Sequence, residues 1–159
     1  MRFKEIMAES NLTELGDNPY KYDKAPTSSE QTTYTADNGK IDVIFYNGLE
    51  YDSSSGKVIA TIDIEFRVDD EIDITGGGDQ YKIFSTVAQI IKKELPKFIH
   101  QHSLVSTSIR FQAAIKDISR IRLYDNRVVR FFNQLLGAGW QFSKTSDDEY
   151  TNYVWIRIK

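Results

Sequence analysis

No cysteine occurs in the 159 residues, which excludes disulfides, thiolate metal ligands and a cysteine nucleophile. The absence fits a reducing compartment, and a cytoplasmic protein is expected. Histidine is scarce too. His100 and His102 flank Gln101, and no carboxylate lies within the next ten residues. Placed together like this, they build neither a convincing metal site nor a Ser-His-Asp triad; a surface helix end is the plainer reading, and no metal is expected. No apolar run approaches the ~20 residues needed to cross a bilayer. Met1 to Ser10, carrying Lys4, Glu5 and Glu9, lacks the apolar centre of a signal peptide. A basic excess is also missing: 20 Lys and Arg face 23 Asp and Glu, for a net charge of −3. Proteins that wrap a phosphate backbone carry such an excess or a basic face. The densest basic run, Arg120, Arg122, Arg127 and Arg130, is only a local patch, so neither nucleic acid nor membrane is expected as a primary partner.

What is present suits one globular domain. Apolar residues make up 40% and charged residues 27%, enough for a core without staples. Residues 1–30 read as an irregular N-terminal segment. In it Phe3, Ile6 and Met7 form one face of a short helix, and Gly16 to Glu30 collects loop-forming residues. Residues 31–159 read as a single α/β domain. Gln31 to Ala36 is a strand, and Asp37-Asn38-Gly39-Lys40 is a hairpin turn, because Asn-Gly tolerates positive φ. Ile41 to Asn47 returns, and Asp52 to Lys57 turns again. Val58, Ala60, Ile62, Ile64, Phe66 and Val68 then alternate with Thr61, Asp63, Glu65 and Arg67, giving a strand with one core face and one polar face.

After Asp73 to Gln80 comes a helix with Ile83, Val87, Ile90 and Ile91 at helical spacing, which Pro96 is expected to kink or end. Val105, Thr107, Ile109 and Phe111 form another strand. Asp117 or Ser119 caps a second helix carrying Ile121, Tyr124, Val128, Phe131 and Leu135, ended by Gly137 and Gly139. Trp140 to Lys144 and Tyr150 to Lys159 form a closing antiparallel pair. The expected fold is α/β (α+β), with a mixed, mostly antiparallel sheet in the order β-β-β-α-β-α-β-β. The strands on either side of the first helix are expected to be parallel, joined by a right-handed crossover.

Three segments hold candidate chemistry. In Ile74-Thr75-Gly76-Gly77-Gly78-Asp79, glycines free the backbone, and amides at a helix start suit a phosphate or pyrophosphate. The same loop also reads as a plain βα connection in which the Asp79 carboxylate already satisfies those amides. No Lys-Ser or Lys-Thr follows it, so it is not a Walker loop, and its spacing does not match a dinucleotide fingerprint. In Ser119-Arg120-Ile121-Arg122-Leu123-Tyr124, the tyrosine is either a core residue or, near the open end of the sheet, a proton donor to a leaving group. Glu65, beside Asp63 and Arg67, is either a solvated carboxylate or a base. The acidic run Asp69-Asp70-Glu71 with Asp73 lacks calcium-loop spacing and reads as a solvated turn.

Taken together, residues 31 to 158 resemble the GCN5-related N-acetyltransferase (GNAT) superfamily. Thr75-Gly76-Gly77-Gly78 keeps both glycines of the family loop, with Asp73 where Arg or Gln is usual. Leu123-Tyr124 and Gly139-Trp140 look like its later signatures, separated by an extended helix. The resemblance implies acetyl-CoA as co-substrate, held through Ile74, Thr75, Gly76, Gly77, Gly78, Asp79 and Ser119. It implies Tyr124 as general acid toward the thiolate and Glu65 as base, directly or through water. The partners implied are acyl-CoA and an amine acceptor. The chain is also similar to small proteins encoded in tailed-phage genomes that share the Gly-rich loop and the Ser-Arg-x-x-Leu-Tyr segment, which implies origin in a host cytoplasm. Two alternatives stay open. One is a non-catalytic interaction protein on this fold, using Tyr46, Tyr51, Tyr153 and Trp155 against a protein partner. The other is a phosphorylated-ligand binder using the same loop.

Overall fold

Alternation along the longest strands dictates the architecture. The computed structural model describes residues 19–25, 28, 30–37, 39–68, 80–101 and 106–158, with the backbone alone at 68 and 80–84. Among the described residues seven strands form one sheet: β1 (Tyr22–Lys24), β2 (Gln31–Ala36), β3 (Ile41–Asp52), β4 (Lys57–Val68), β5 (Ser106–Ala114), β6 (Trp140–Ser146) and β7 (Tyr150–Arg157). Their spatial order is β1-β2-β3-β4-β5-β7-β6. Every neighbouring pair is antiparallel except β4 and β5, which run parallel. Between β4 and β5 lies α1 (Gln80–Gln101). Between β5 and β6 the chain winds through α2 (Ile118–Leu123), a π-helical turn (Tyr124–Val128) and α3 (Val129–Leu136).

The order of elements differs from the expected one by a strand at the start. Tyr22–Lys24 falls in the segment read as irregular, yet it pairs with β2 in the register Tyr22↔Ala36. Three residues of Tyr-Asp-Lys carry no periodic signal. The strand is held by what it meets: the Tyr22 ring packs edge-on against Tyr34 at 5.8 Å, and its hydroxyl donates to Glu94 on α1. Of the two outcomes expected at Pro96, a kink or an end, the end does not occur, since α1 runs through it to Gln101. The residue is exposed, and the missing N–H costs one bond while the buried Ile90, Ile91, Leu95 and Phe98 of that helix keep it on the sheet.

One face of the sheet carries the core. Val43 and Phe45 from β3, Ile62, Ile64 and Phe66 from β4, Ile109 and Phe111 from β5, and Tyr153 and Trp155 from β7 join one cluster. The same cluster takes in Ile90 and Leu95 of α1 and Tyr124, Phe131 and Phe132 of the second helical run. Both helices therefore cover the same face, as successive right-handed crossovers moving in one direction require. Phe111 lies at its centre, with ring centroids 5.0 Å from Tyr124, 5.2 Å from Tyr153 and 5.3 Å from Phe132. Tyr153 and Trp155 are fully buried, so neither belongs to a protein-binding surface. Their polar atoms are occupied: Tyr153 donates to Asp125 at 2.8 Å and Trp155 Nε1 to Asn133 Oδ1 at 2.8 Å. Of the four aromatics proposed for such a surface, Tyr46 is half-buried and Tyr51 is exposed.

Local signals account for the joints. Gly39 takes φ 72° in the β2–β3 hairpin, and its N–H bonds the Ala36 carbonyl. Asp117 caps α2, its Oδ1 accepting from the Arg120 amide at 3.0 Å. Gly137 ends α3 at φ 78°, a conformation that costs other L-residues about 1 kcal/mol or more.

Candidate functional site

The site follows from where two parallel strands stop pairing. β4 and β5 share register from Ile59↔Ser106 to Asp63↔Arg110 and no further. Past that point β4 stays bound to β3 as far as Val68↔Ile41, while β5 follows β7 as far as Ala114↔Tyr150. Each strand is held by its outer neighbour, so the two part and leave inner edges whose backbone groups do not pair across the gap. Arg110 marks the fork. Its guanidinium donates to Asp63 at 2.7 and 2.9 Å and to Glu50 at 3.1 Å. The Asp63 bonds, chiefly, push its already high pKa further up.

A cleft of about 840 Å³ opens there, lined from both faces of the sheet. Tyr46, Glu65 and Gln112 contribute from the polar face; Phe66, Phe111 and Tyr124 close the floor from the core side; Asp117 and Arg120 contribute from the start of α2. Glu65 and Tyr124, 59 positions apart in sequence by their numbers, thus meet in one cavity.

Tyr124 begins the π-helical turn, where the Val129 amide bonds the Tyr124 carbonyl across five residues instead of four. Such an insertion turns a side chain off the regular helical stripe and recurs at functional positions. The Tyr124 ring is 3% exposed and packs edge-on against Phe66, Phe111 and Tyr153 at 6.0, 5.0 and 5.5 Å. Burial pushes its hydroxyl up to about 12, with the facing Arg120 guanidinium pulling the other way. The phenol stays protonated at neutral pH, so it is present as a proton donor.

Glu65 accepts from the Tyr46 hydroxyl at 2.7 Å and from Arg67 Nε at 3.1 Å. Burial pushes its carboxyl up, but the Arg67 and Tyr46 hydrogen bonds and the charges of Arg67 and Arg120 outweigh it, leaving the group below its ordinary value. It is ionised at neutral pH. Its half-exposed position, with 42% of the side chain accessible, admits water beside it, which suits proton removal through a water.

The loop Ile74, Thr75, Gly76, Gly77, Gly78 and Asp79 lies outside the described residues. Ser119 is exposed in the first turn of α2 and does not line the cleft. His100 is exposed near the end of α1, and His102 lies outside the described residues. Among the described residues there is no cluster of three or more potential metal ligands, and no helix is long and apolar enough to cross a membrane. Residues that sequence reasoning missed are Tyr46, Asp117 and Arg120 as cleft members. Arg120 and Tyr124 stand at i and i+4, the one signal that both share a helix face.

A second groove of about 960 Å³ runs between β1, β2 and α1. At its base the Glu94 carboxylate, with 8% of its side chain exposed, accepts from the Tyr22 hydroxyl at 3.2 Å and from Lys97 at 3.0 Å. Burial and this carboxylate together raise Tyr34 to about 12. These partners satisfy Glu94 within the protein and tie β1 to the helix.

No family model, curated protein or solved structure matches the chain.

Proposed function

We propose that the chain is an acyl-CoA-dependent N-acyltransferase of the GNAT type, which moves an acetyl group from acetyl-CoA to an amine. One observation carries this reading: the parallel β4 and β5 part beyond Asp63↔Arg110, and a protonated tyrosine and an ionised carboxylate line the resulting cleft. The inner strand edges offer unpaired backbone groups to an extended, amide-bearing arm, in the manner of an added strand. The amine would approach from the polar face. Glu65 would take its proton directly or through water, and Tyr124 would protonate the departing thiolate. The loop from Ile74 to Asp79 would hold the pyrophosphate through its backbone amides, and its glycines suit that close approach.

The test is isothermal titration of acetyl-CoA into the wild type and into Gly77→Asp, whose carboxylate would stand against the pyrophosphate. Micromolar binding that is lost in the variant is the expected result. A folded wild type that binds no acetyl-CoA overturns the reading.

One observation favours the second reading, a non-catalytic interaction protein. Leu49, Tyr51 and Val58 are 67%, 70% and 46% exposed, and Tyr51 faces Val58 across the tip of the β3–β4 hairpin. By strand alternation these side chains share the sheet face of Val43, Phe45 and Ile62, and such an apolar patch suits a protein contact.

A further inference from the structure

We infer that Arg120 is a further catalytic residue of the proposed transfer: its guanidinium receives the oxyanion formed when the amine attacks the thioester. This rests on the acyltransferase reading above. Three placements support it. First, Arg120 stands one turn before Tyr124 on the same helical face, and both line the cleft. Second, Asp117 holds Arg120 from two sides, accepting from its main-chain amide at 3.0 Å and pairing with Nε at 3.3 Å. That pairing engages one edge of the guanidinium, a further bond goes to the Tyr124 side chain, and of its five N–H donors the remaining terminal ones are left for a ligand oxygen. Third, Arg120 hydrogen-bonds the Tyr124 side chain and its charge also reaches Glu65, more weakly, so it stands beside the acid and within electrostatic reach of the base. About a third of the Arg120 side chain is exposed, 32%, which lets a ligand oxygen reach it. The other arginines of the cleft region are committed elsewhere: Arg110 to Asp63 and Glu50, and Arg67 to Glu65.

The chemistry requires a donor at this place. The amine nitrogen forms a bond to the thioester carbon, and the carbonyl π pair moves onto oxygen. The carbon under attack lies between the base, Glu65, and the acid, Tyr124. A cation facing both also faces the oxygen on which the charge develops, and a preorganised donor there lowers the barrier more than any in water would. The amine proton passes to Glu65. Collapse restores the carbonyl and breaks the C–S bond, and the thiolate takes the Tyr124 proton, which solvent replaces. The products are an amide and a free thiol. A guanidinium suits the role because it keeps its charge at every working pH.

The experiment compares wild type, Arg120→Gln and Arg120→Lys. Acetyl-CoA binding is measured by titration, and thiol release is followed with ethanolamine and with a lysine-containing peptide as acceptors. In Arg120→Gln, kcat is expected to fall about 100-fold, the usual loss for one oxyanion donor, with acetyl-CoA affinity changed less than about threefold. Arg120→Lys, which keeps the Asp117 pair and the charge, should recover part of the rate. A kcat within about twofold of wild type in Arg120→Gln overturns the inference. So does an unchanged kcat with weakened acetyl-CoA binding, which would make Arg120 a donor-binding residue. A wild type that binds no acetyl-CoA, or binds it and releases no thiol, removes the transfer itself and with it this role.

Discussion

Replacing Tyr124 by phenylalanine removes one oxygen and keeps the ring among Phe66, Phe111 and Tyr153. At pH 8 the change in stability should stay within about 1 kcal/mol, the net worth of an ordinary hydrogen bond. The difference should appear in alkali. A tyrosine in the unfolded chain loses its proton near pH 10, whereas burial holds Tyr124 to about 12. Because the folded value lies above the unfolded one, the stability this group contributes is intact below pH ~10 and is lost as pH rises through the folded value. Two units correspond to about 3 kcal/mol between pH 10 and 12. Urea denaturation of wild type and Tyr124→Phe at steps from pH 8 to 12 measures it. Tyr22, Tyr34 and Tyr153 are raised as well, so both proteins weaken in alkali, but the wild type should weaken by about 3 kcal/mol more. Parallel curves would refute the assignment of a buried, protonated hydroxyl. In the transfer assay the same variant should lose about 100-fold or more in kcat, the usual share of a general acid, and full activity would remove Tyr124 from the chemistry.

Glu94→Gln removes the charge that Tyr22 and Lys97 share; a loss of about 2 kcal/mol is expected, read as a melting temperature lower by about 4–8 °C. Pro96→Ala restores an amide donor inside α1 and should stabilise the protein by about 1–3 kcal/mol in urea denaturation; an unchanged or lower midpoint would mean the helix is already bent to fit the ring. Glu65 sits below its ordinary value, so its stabilising effect is present above the unfolded carboxylate range and is lost as pH falls through the folded value. Glu65→Gln should therefore flatten the acid side of the stability profile, measured by thermal melts from pH 6 to 2.

Much of the framework was legible because it is encoded by neighbours. β4 announces its core and polar faces by alternation, which needs only a period of two. Asp117 caps α2 and Gly137 ends α3 through bonds and dihedrals a few residues long. The parallel pairing of β4 with β5 followed from the helix between them, since a crossover leaves few other arrangements. Glu65 and Tyr124 were individually visible, one as a carboxylate on a polar strand face and the other as a tyrosine on an apolar helix stripe.

What brings those two side chains together was decided by tertiary structure alone. The parting of β4 and β5 depends on each strand staying with its outer neighbour, and the fork at Asp63↔Arg110 joins residues 47 apart in sequence. No local period carries that register. The π-helical turn at Tyr124 has no sequence signature of its own, because it arises where the ring must reach Phe66 and Phe111 while α3 keeps its own face on the sheet. β1 is a strand only because β2 offers an edge and Glu94 receives the Tyr22 hydroxyl. The sequence by itself determined which faces would be buried; which buried faces would meet, and where the sheet would open, came from packing among segments far apart in the chain.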